Sequence, residues 1–231
     1  LTGRVPDDRY DTEAFVSTVR AVVDTVGLSR FVLGGNSMGG GVTWQYALRH
    51  PDAVSAMVLV DASGLWSWRT ASAEPAGERP LAFELLAKPW FRSVARYLDP
   101  YALTEQGVRS AYNHSTVVDD ALIARYYELS LREGTRDATM ARFASRPSTT
   151  EEPDLSVLTQ PTLILWGERD SLIPTTVAHR FEAVLPRASV IIYEGVGHIP
   201  MEEIPERSAA DVRAFMQSLS TNQETIPDET L

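Results

Sequence analysis

The stretch FVLGGNSMGGG, residues 31–41, is the strongest structural signal in the chain. A short apolar run ends at two glycines, Ser37 follows after one more residue, and residues 42–49 are compatible with a helix. Short apolar runs bounded by glycine are typical of buried β-strands. The stretch therefore predicts a strand, a sharp turn that contains Ser37, and a helix.

The spacing of Gly35, Ser37 and Gly39 is G-x-S-x-G, the sequence of a nucleophile elbow. In such a turn the serine backbone is strained, and the residues two positions away lie so close that we expect glycine to be required at both. The turn lifts the hydroxyl above the sheet edge. It also places the N–H of Met38 at a helix N-terminus, where the dipole favours a developing negative charge. Ser37 is therefore the predicted nucleophile.

Two other glycine-rich motifs do not fit this stretch. A phosphate loop requires G-x-x-x-x-G-K-[ST], and no lysine follows here. The dinucleotide spacing G-x-G-x-x-G fails because Asn36 and Ser37 occupy the wrong positions. We expect neither a cofactor nor a metal, and a purely structural turn remains the alternative to a nucleophile.

Composition limits the partners of the protein. A chain of 231 residues can form one α/β domain with an insertion, or two small domains. The net charge of −10 argues against nucleic acid, whose phosphates attract basic surfaces, and no apolar run predicts a membrane span. Cysteine is absent, so disulfides are excluded and a reducing compartment is permitted. We expect a cytoplasmic protein with a small-molecule substrate; the composition gives no indication of its oligomeric state.

Strand and helix signals alternate at both ends of the chain. Four apolar runs predict strands: 29–34, 55–60, 161–167 and 189–194. Helical spacing predicts helices between them: 10–26, 42–49, 175–185 and 205–219. The near-continuous apolar character of the strands suits a parallel sheet covered on both faces. The predicted fold class is therefore α/β with a mainly parallel sheet, followed by a disordered tail over 220–231.

This alternation is interrupted over residues 65–156. Periodic segments there predict only helices: 81–98, 104–112, 119–131 and 136–145. The stretch holds eleven of the twenty Trp, Tyr and Phe residues. Aromatic residues at helical spacing usually pack in a core, which is the expectation for Trp90, Phe91 and Tyr97 taken singly. As a group they favour a lid that forms an apolar pocket over Ser37. The predicted domains are a core of 1–64 and 157–219 and a helical cap of 65–156.

A serine nucleophile needs a base, and the base needs an acid that orients it. His198 follows the last predicted strand, at the carboxyl edge of the sheet where ligands of open α/β folds bind. The other three histidines have simpler explanations as a helix C-terminal, a polar-segment and a mid-helix residue: His50, His114 and His179. His198 is therefore the predicted base.

Three carboxylates compete for the acid. Asp170 follows the third predicted strand and Asp61 follows the second, so both reach the same edge of the sheet. Glu168 is a local alternative two residues before Asp170. The order Ser37, Asp170, His198 is the nucleophile–acid–base order of one known class of enzymes and favours Asp170.

Three segments make the chain similar to the α/β-hydrolase superfamily, specifically its capped bacterial group with a Ser-Asp-His triad. They are GGNSMGG at 34–40, LWGERDSLIP at 165–174 and GVGHIPMEE at 195–203. The resemblance covers about residues 10–219 and is weakest in the insertion. It implies Ser37 as nucleophile, Asp170 as acid, His198 as base and Met38 N–H as one oxyanion donor.

The chain departs from this family pattern at its beginning. Members start with further strands, and a loop after the third of them, usually with His-Gly, supplies the second oxyanion N–H. We expect roughly 60–90 such residues to be missing before Leu1. The first predicted strand would then expose an apolar parallel edge, which soluble domains avoid. Loss of one donor costs about 10²–10³ in rate, so the activity of this chain alone is doubtful.

The sequence leaves three functional hypotheses. The first is a serine esterase that forms an acyl-enzyme on Ser37 with a small to medium apolar substrate. The second keeps the same residues but cleaves a carbon–carbon bond, because Asn36 beside Ser37 is similar to hydrolases of aromatic ring-fission products. The third is a catalytically impaired fragment or binding module on the same fold.

Overall fold

The computed structural model of the protein describes residues 5, 9–70, 81–95, 97–144 and 152–224. Four strands form one parallel sheet in the order β1-β2-β3-β4. Their bounds are Phe31–Asn36 (β1), Val54–Val60 (β2), Thr162–Gly167 (β3) and Ala188–Tyr193 (β4). The predicted α/β class and parallel sheet are confirmed, and each strand lies within two residues of its predicted bounds.

The helices that pack against the sheet precede, separate and follow the strands. Their bounds are Thr12–Val26 (α1), Met38–Arg49 (α2), Thr175–Val184 (α9), Pro200–Glu203 (α10) and Pro205–Glu224 (α11). Helix α1 begins where Asp11 accepts a hydrogen bond from Ala14 N, at 2.8 Å, and ends at Gly27, whose φ is 71°. Local caps therefore fix both ends of this helix.

Between β2 and β3 the described residues form helices only. Their bounds are Trp66–Thr70 (α3), Leu81–Leu86 (α4), Pro89–Ala95 (α5), Tyr101–Ala111 (α6), Asp120–Leu131 (α7), Thr135–Ala144 (α8) and a short 3₁₀ turn, Leu155–Val157. The single helix expected over 81–98 is in fact two, because Pro89 has no N–H to continue α4 and instead begins α5. We refer to α3–α8 as the helical insertion.

The core covers both faces of the sheet. Met57 and Leu59 of β2 point to one face, where they join the buried residues of α1, α2 and α9 in one cluster. Val58, between them, points to the other face, where Val212 and Phe215 of α11 pack. Alternate strand residues are thus buried on opposite sides, as the continuous apolar runs predict.

β1 has a different environment from the central strands. It pairs with β2, and no further strand pairs with it among the residues that the structure describes. Its side chains are partly exposed and Gly34 is exposed, whereas all six residues of β3 are buried. The expectation of additional strands beside β1 stays a prediction.

Two further expectations are wrong in the described residues. Helix α11 continues to Glu224, so residues 220–224 are helical rather than disordered, and 225–231 lie outside the described residues. Phe91 is buried as expected, but Trp90 and Tyr97 are 63% and 81% exposed and are not core residues.

No described helix has both the length and the apolar character needed to span a membrane.

Candidate active site

Ser37 lies at the junction between β1 and α2. Its backbone has φ 54° and ψ −119°, a conformation that non-glycine residues rarely adopt. Ser37 N donates to Val60 O, at 2.9 Å, and Ser37 O accepts from Gly41 N and Ser63 N, at 3.1 and 2.9 Å. These bonds hold the strained turn to the neighbouring strand end and to the first turn of α2. Met38 is the first residue of α2, as the elbow sequence predicts.

The glycines around Ser37 are not equivalent. A Cβ at Gly35 would lie 2.4 Å from the backbone of Gly39, so glycine is required at position 35 as expected. A Cβ at Gly39 would meet no atom within 4 Å beyond its chain neighbours and the backbone of its own helix, and the expectation that a side chain there would clash is wrong. The second close approach is instead at Gly40, where a Cβ would lie 2.4 Å from that of Ala62. The steric demand thus falls on positions 35 and 40.

His198 and Asp170 form a buried pair. His198 Nδ1 lies 2.7 Å from Asp170 Oδ2, and their side chains are 3% and 0% exposed. The other carboxylate oxygen, Oδ1, accepts from Leu172 N and Ile173 N, at 2.7 and 3.0 Å. Because backbone N–H groups of the loop after β3 hold Oδ1, the carboxylate presents Oδ2 to the imidazole. With Nδ1 facing Asp170, Nε2 is the ring nitrogen left to serve as a base.

Asn36 links the serine turn to the histidine loop. Its Nδ2 donates to His198 O, at 3.1 Å, and to Val60 O, at 3.2 Å. Among the described residues, no hydrogen bond joins the Ser37 hydroxyl to His198 itself. Such contacts are often long in unliganded enzymes and shorten when substrate binds. The observed hydrogen bond between the serine turn and the loop of His198 is therefore made by Asn36, next to Ser37.

The alternative site residues lie in other environments. Glu168 is exposed, and its Oε2 accepts from Gly195 N, at 3.0 Å. His50 packs against the ring of Tyr46, with centroids 4.6 Å apart. His179 Nδ1 lies 3.5 Å from Glu182 on the surface of α9. None of these three residues takes part in the buried pair.

Asp61 is a second buried carboxylate beside the pair. One ligand atom from each of Asp61, Asp170 and His198 lies within 4.8 Å of the others, and Asp61 is fully buried. Its Oδ1 accepts from Gly167 N, at 2.9 Å. Burial, together with the negative charge of Asp170, raises the pKa of Asp61 well above its usual range. The rival acid of the sequence thus belongs to the site but does not hold the histidine.

Glu203 holds the backbone of the histidine loop. Its carboxylate accepts from Gly197 N, at 3.0 Å, and from Ile199 N, at 3.3 Å, on either side of His198. Burial raises the pKa of Glu203, and these backbone N–H groups oppose that rise. The sequence places Glu203 within the histidine segment but assigns it no role. Its role becomes visible only in the hydrogen bonds from backbone N–H groups to its side chain, which no spacing rule predicts.

The helical insertion is attached to both loops of the buried pair. Ala111 O, at the end of α6, accepts from His198 N, at 2.7 Å. Ser171 Oγ, next to Asp170, donates to Ser110 O, at 3.0 Å. On the other side of the site, Arg142 Nε of α8 lies 3.3 Å from Met38 Sδ. The insertion therefore contacts all three segments that carry the predicted triad.

A second network joins the insertion to α10. Tyr112 is 1% exposed, and its hydroxyl donates to Glu202 Oε2, at 2.7 Å. Burial raises the pKa of Tyr112, and its bonds to Tyr126 and Glu202 add to that rise. Burial also opposes ionisation of Glu202, but donation from Tyr112 and Arg125 lowers its pKa overall. This carboxylate is therefore the charged acceptor of the network.

Comparison with known proteins identifies the fold family. A family model described as alpha/beta hydrolase fold matches residues 2–205, and the chain belongs to this family. It is 24% identical over 220 residues to Lipase 1 of Psychrobacter immobilis, covering 93% of this chain and 64% of the lipase. It is also 27% identical over 219 residues to the 2-hydroxymuconate semialdehyde hydrolase of Pseudomonas putida, covering 92% of this chain and 72% of that enzyme.

A solved structure supports the same fold. The meta-cleavage product hydrolase of Pseudomonas fluorescens matches with a TM-score of 0.74 at 21% identity, covering 94% of this chain and 76% of that one. The chain spans 64% of the length of the lipase, 72% of that of the semialdehyde hydrolase and 76% of that of the meta-cleavage product hydrolase. Its predicted membership of the α/β hydrolases is confirmed.

Proposed function

We propose that the protein is a serine hydrolase in which Ser37, Asp170 and His198 form the catalytic triad. The observation that carries this proposal is the buried 2.7 Å contact between His198 and Asp170, tied through Asn36 to the strained serine turn. A buried imidazole whose orientation is fixed, beyond the carboxyl end of a strand, is the base that a serine nucleophile needs. Relatives named as lipases and hydrolases agree with this chemistry.

The proposed reaction is acyl transfer to water. Ser37 Oγ attacks the substrate carbonyl while its proton passes to His198 Nε2, and Asp170 stabilises the resulting imidazolium. The N–H of Met38, at the start of α2, donates to the oxyanion that forms. Collapse expels the alcohol, which takes the proton from His198. A water molecule, deprotonated by His198, then releases the acid and restores Ser37.

The proposed substrate is a small to medium carboxylic ester with an apolar part. The helical insertion contacts the elbow through Arg142 and the histidine loop through Ala111, which supports its role as a lid beside the site. The exposed Trp90 and Tyr97 do not support the idea that these two aromatics line a closed pocket. The apolar character of the substrate therefore rests on the composition of the insertion and on the lipase relatives.

A second candidate keeps the triad and changes the bond. Hydrolysis of a carbon–carbon bond in a ring-fission product is favoured by similarity to the 2-hydroxymuconate semialdehyde hydrolase of Pseudomonas putida. Asn36 adds little to this candidate, because its amide is already used by His198 O and Val60 O. The ester reaction is therefore the first choice.

Turnover of a p-nitrophenyl ester series, compared with that of a vinylogous diketo acid, separates the two candidates. We expect kcat/KM for the best ester to exceed that for the diketo acid and to vanish in Ser37→Ala. A preference for the diketo acid that also depends on Ser37 would replace esterase by carbon–carbon hydrolase. Turnover of either substrate that survives Ser37→Ala would refute the triad. A folded protein that turns over neither would favour the impaired fragment or binding module.

A further inference from the structure

Asp61 is a buried carboxyl group of the site that the proposed reaction does not use. It follows β2, and its backbone N donates to Leu165 O of β3, at 2.9 Å. Its φ is 42°, a strained value for a residue with a Cβ. The fold therefore holds this side chain at the sheet edge in an unfavourable backbone conformation, which is common where position matters for function.

The hydrogen bonds of the two neighbouring carboxyl groups differ. Asp170 accepts three N–H groups, from Leu172, Ile173 and His198. Asp61 accepts one, from Gly167 to Oδ1, while its buried Oδ2 receives no hydrogen bond from the described residues. Hydrogen bonds donated to a carboxylate stabilise its charged form. Of the two groups, Asp170 is the one built to be an anion.

The groups around Asp61 oppose a second negative charge. Among its neighbours, the negative charge of Asp170 opposes ionisation of Asp61 most strongly, and the carboxylate of Glu203 also opposes it. The imidazole of His198 contacts Asp170, and the hydroxyl of Tyr193 on β4 donates to Asp211 rather than to Asp61. Ionising one of two carboxyl groups in a shared buried site opposes ionisation of the other, which favours one proton on the pair.

We propose that Asp61 is a positioning residue of the active site, a neutral carboxylic acid whose Oδ2–H donates a hydrogen bond to Asp170. This role rests on the proposed triad. It provides a hydrogen-bond partner for Oδ2, which receives none from the described residues. It also leaves a single negative charge beside the imidazole and adds a fourth hydrogen bond to the Asp170 carboxylate. No covalent step involves Asp61, and its proton stays in place through the reaction.

Two variants at position 61 test this role through the pH profile of kcat/KM. The amide of Asp61→Asn accepts from Gly167 N and donates to Asp170 as the neutral acid does, so we expect activity within about threefold of wild type and an unchanged acidic limb. Asp61→Ala removes the donor and makes Asp170 a stronger base. We expect a loss of about 10- to 100-fold and an acidic limb moved to higher pH.

Either of two activity results would overturn the inference. If Asp61 is ionised in the wild type, Asp61→Asn removes a negative charge beside His198 and moves the acidic limb to lower pH. If Asp61 has no influence on the pair, Asp61→Ala leaves both the rate and the profile unchanged. Near-ultraviolet circular dichroism checks that each variant is folded.

Infrared spectroscopy gives a readout that needs no turnover and no stable Asp61→Ala. A buried neutral carboxylic acid has a carbonyl stretch above the amide bands. We expect this band in the wild type at neutral pH and its loss in Asp61→Asn; the band of a protonated Glu203 would persist in both. Identical spectra would refute the neutral acid. A wild type that has the band but turns over no substrate would refute the proposed function while keeping the protonation state.

Discussion

The strand-end loops and the helical insertion are held by different kinds of contact. The loops at the ends of the four strands are tight: Ser37 and Asp61 have positive φ, Gly35 allows no side chain, and the His198–Asp170 pair is almost fully buried. The insertion consists of short helices, α8 has no fully buried residue, and several of its large side chains are exposed. It meets the loops through a few defined hydrogen bonds.

This difference separates the loops that carry the candidate site residues from the insertion that is anchored beside them. Strained turns and buried charge pairs persist only where the surrounding structure over-determines them, which the two-sided sheet does. The insertion needs only to be anchored, through Ala111, Ser110 and the Tyr112–Glu202 bond. We therefore expect substitutions in the loops to affect catalysis or folding strongly, and substitutions on the insertion to have effects limited to its anchors.

Asp170→Asn gives the largest expected effect. It removes the charge that stabilises the imidazolium and orients Nδ1, so we expect kcat to fall by about 10⁴-fold. Steady-state hydrolysis of a p-nitrophenyl ester measures the loss. Glu168→Gln, at an exposed carboxylate of the same loop, is the matched control and should change the rate by less than about twofold. Equal losses in both variants would contradict the assignment of the acid.

Gly35→Ala and Gly39→Ala compare two glycines of one motif. A Cβ at position 35 meets backbone at 2.4 Å, which cannot move cheaply, so we expect a loss of about 1–3 kcal/mol or more in the free energy of unfolding. Position 39 is open and helical, where alanine is favoured over glycine by up to about 1 kcal/mol. Urea denaturation measures both. A larger loss at 39 than at 35 would show that the elbow packs differently.

Tyr112→Phe and Tyr97→Phe make the same chemical change at two places in the insertion. The first removes the 2.7 Å hydrogen bond that the buried Tyr112 hydroxyl donates to the charged carboxylate of Glu202, and we expect a cost of about 1–3 kcal/mol in the free energy of unfolding. The second alters a side chain that is 81% exposed, and we expect a change within about 0.5 kcal/mol. Equal effects would mean that Tyr112 is not an anchor of the insertion.

The free energy of unfolding depends on pH through Asp61, and per pH unit this is the smallest of the expected effects. Because folding raises the pKa of Asp61, the native state binds more protons than the unfolded chain above the ordinary value of 3.8. Stability is therefore lost as pH rises from that value towards the raised pKa, by at most about 1.4 kcal/mol per unit. Asp61→Asn should lack this loss. Parallel pH dependences of wild type and variant in urea denaturation would contradict the raised pKa.

The sheet and the buried pair could be predicted from sequence because local signals decide them. Apolar runs defined the four strands within two residues, and Asp170 and His198 each follow a strand whose carboxyl end reaches the same edge. The fold class follows from that alternation alone. The steric demand at Gly40 rather than Gly39 could not be predicted, because it depends on how closely Gly40 packs against Ala62.

The insertion and the supporting residues could not be predicted in the same way. Helical spacing gives the periodicity of a face but not which partner covers it, and so Trp90 and Tyr97 were expected to be buried. Glu203, Ala111 and Ser171 act through hydrogen bonds to backbone groups or between segments far apart in sequence, and such bonds leave no sequence pattern. The neutral state proposed for Asp61 depends on the spatial neighbour Asp170, which lies beyond any local motif.

Covalent labelling of Ser37 is the most direct test of the proposed triad. We expect a fluorophosphonate probe to form one adduct with the folded wild-type protein, located on Ser37 by peptide mass spectrometry. The adduct should be absent from Ser37→Ala and form much more slowly in Asp170→Asn. A folded wild type that remains unlabelled, or an adduct on a different serine, would contradict the assignment of Ser37 as the nucleophile activated by His198 and Asp170.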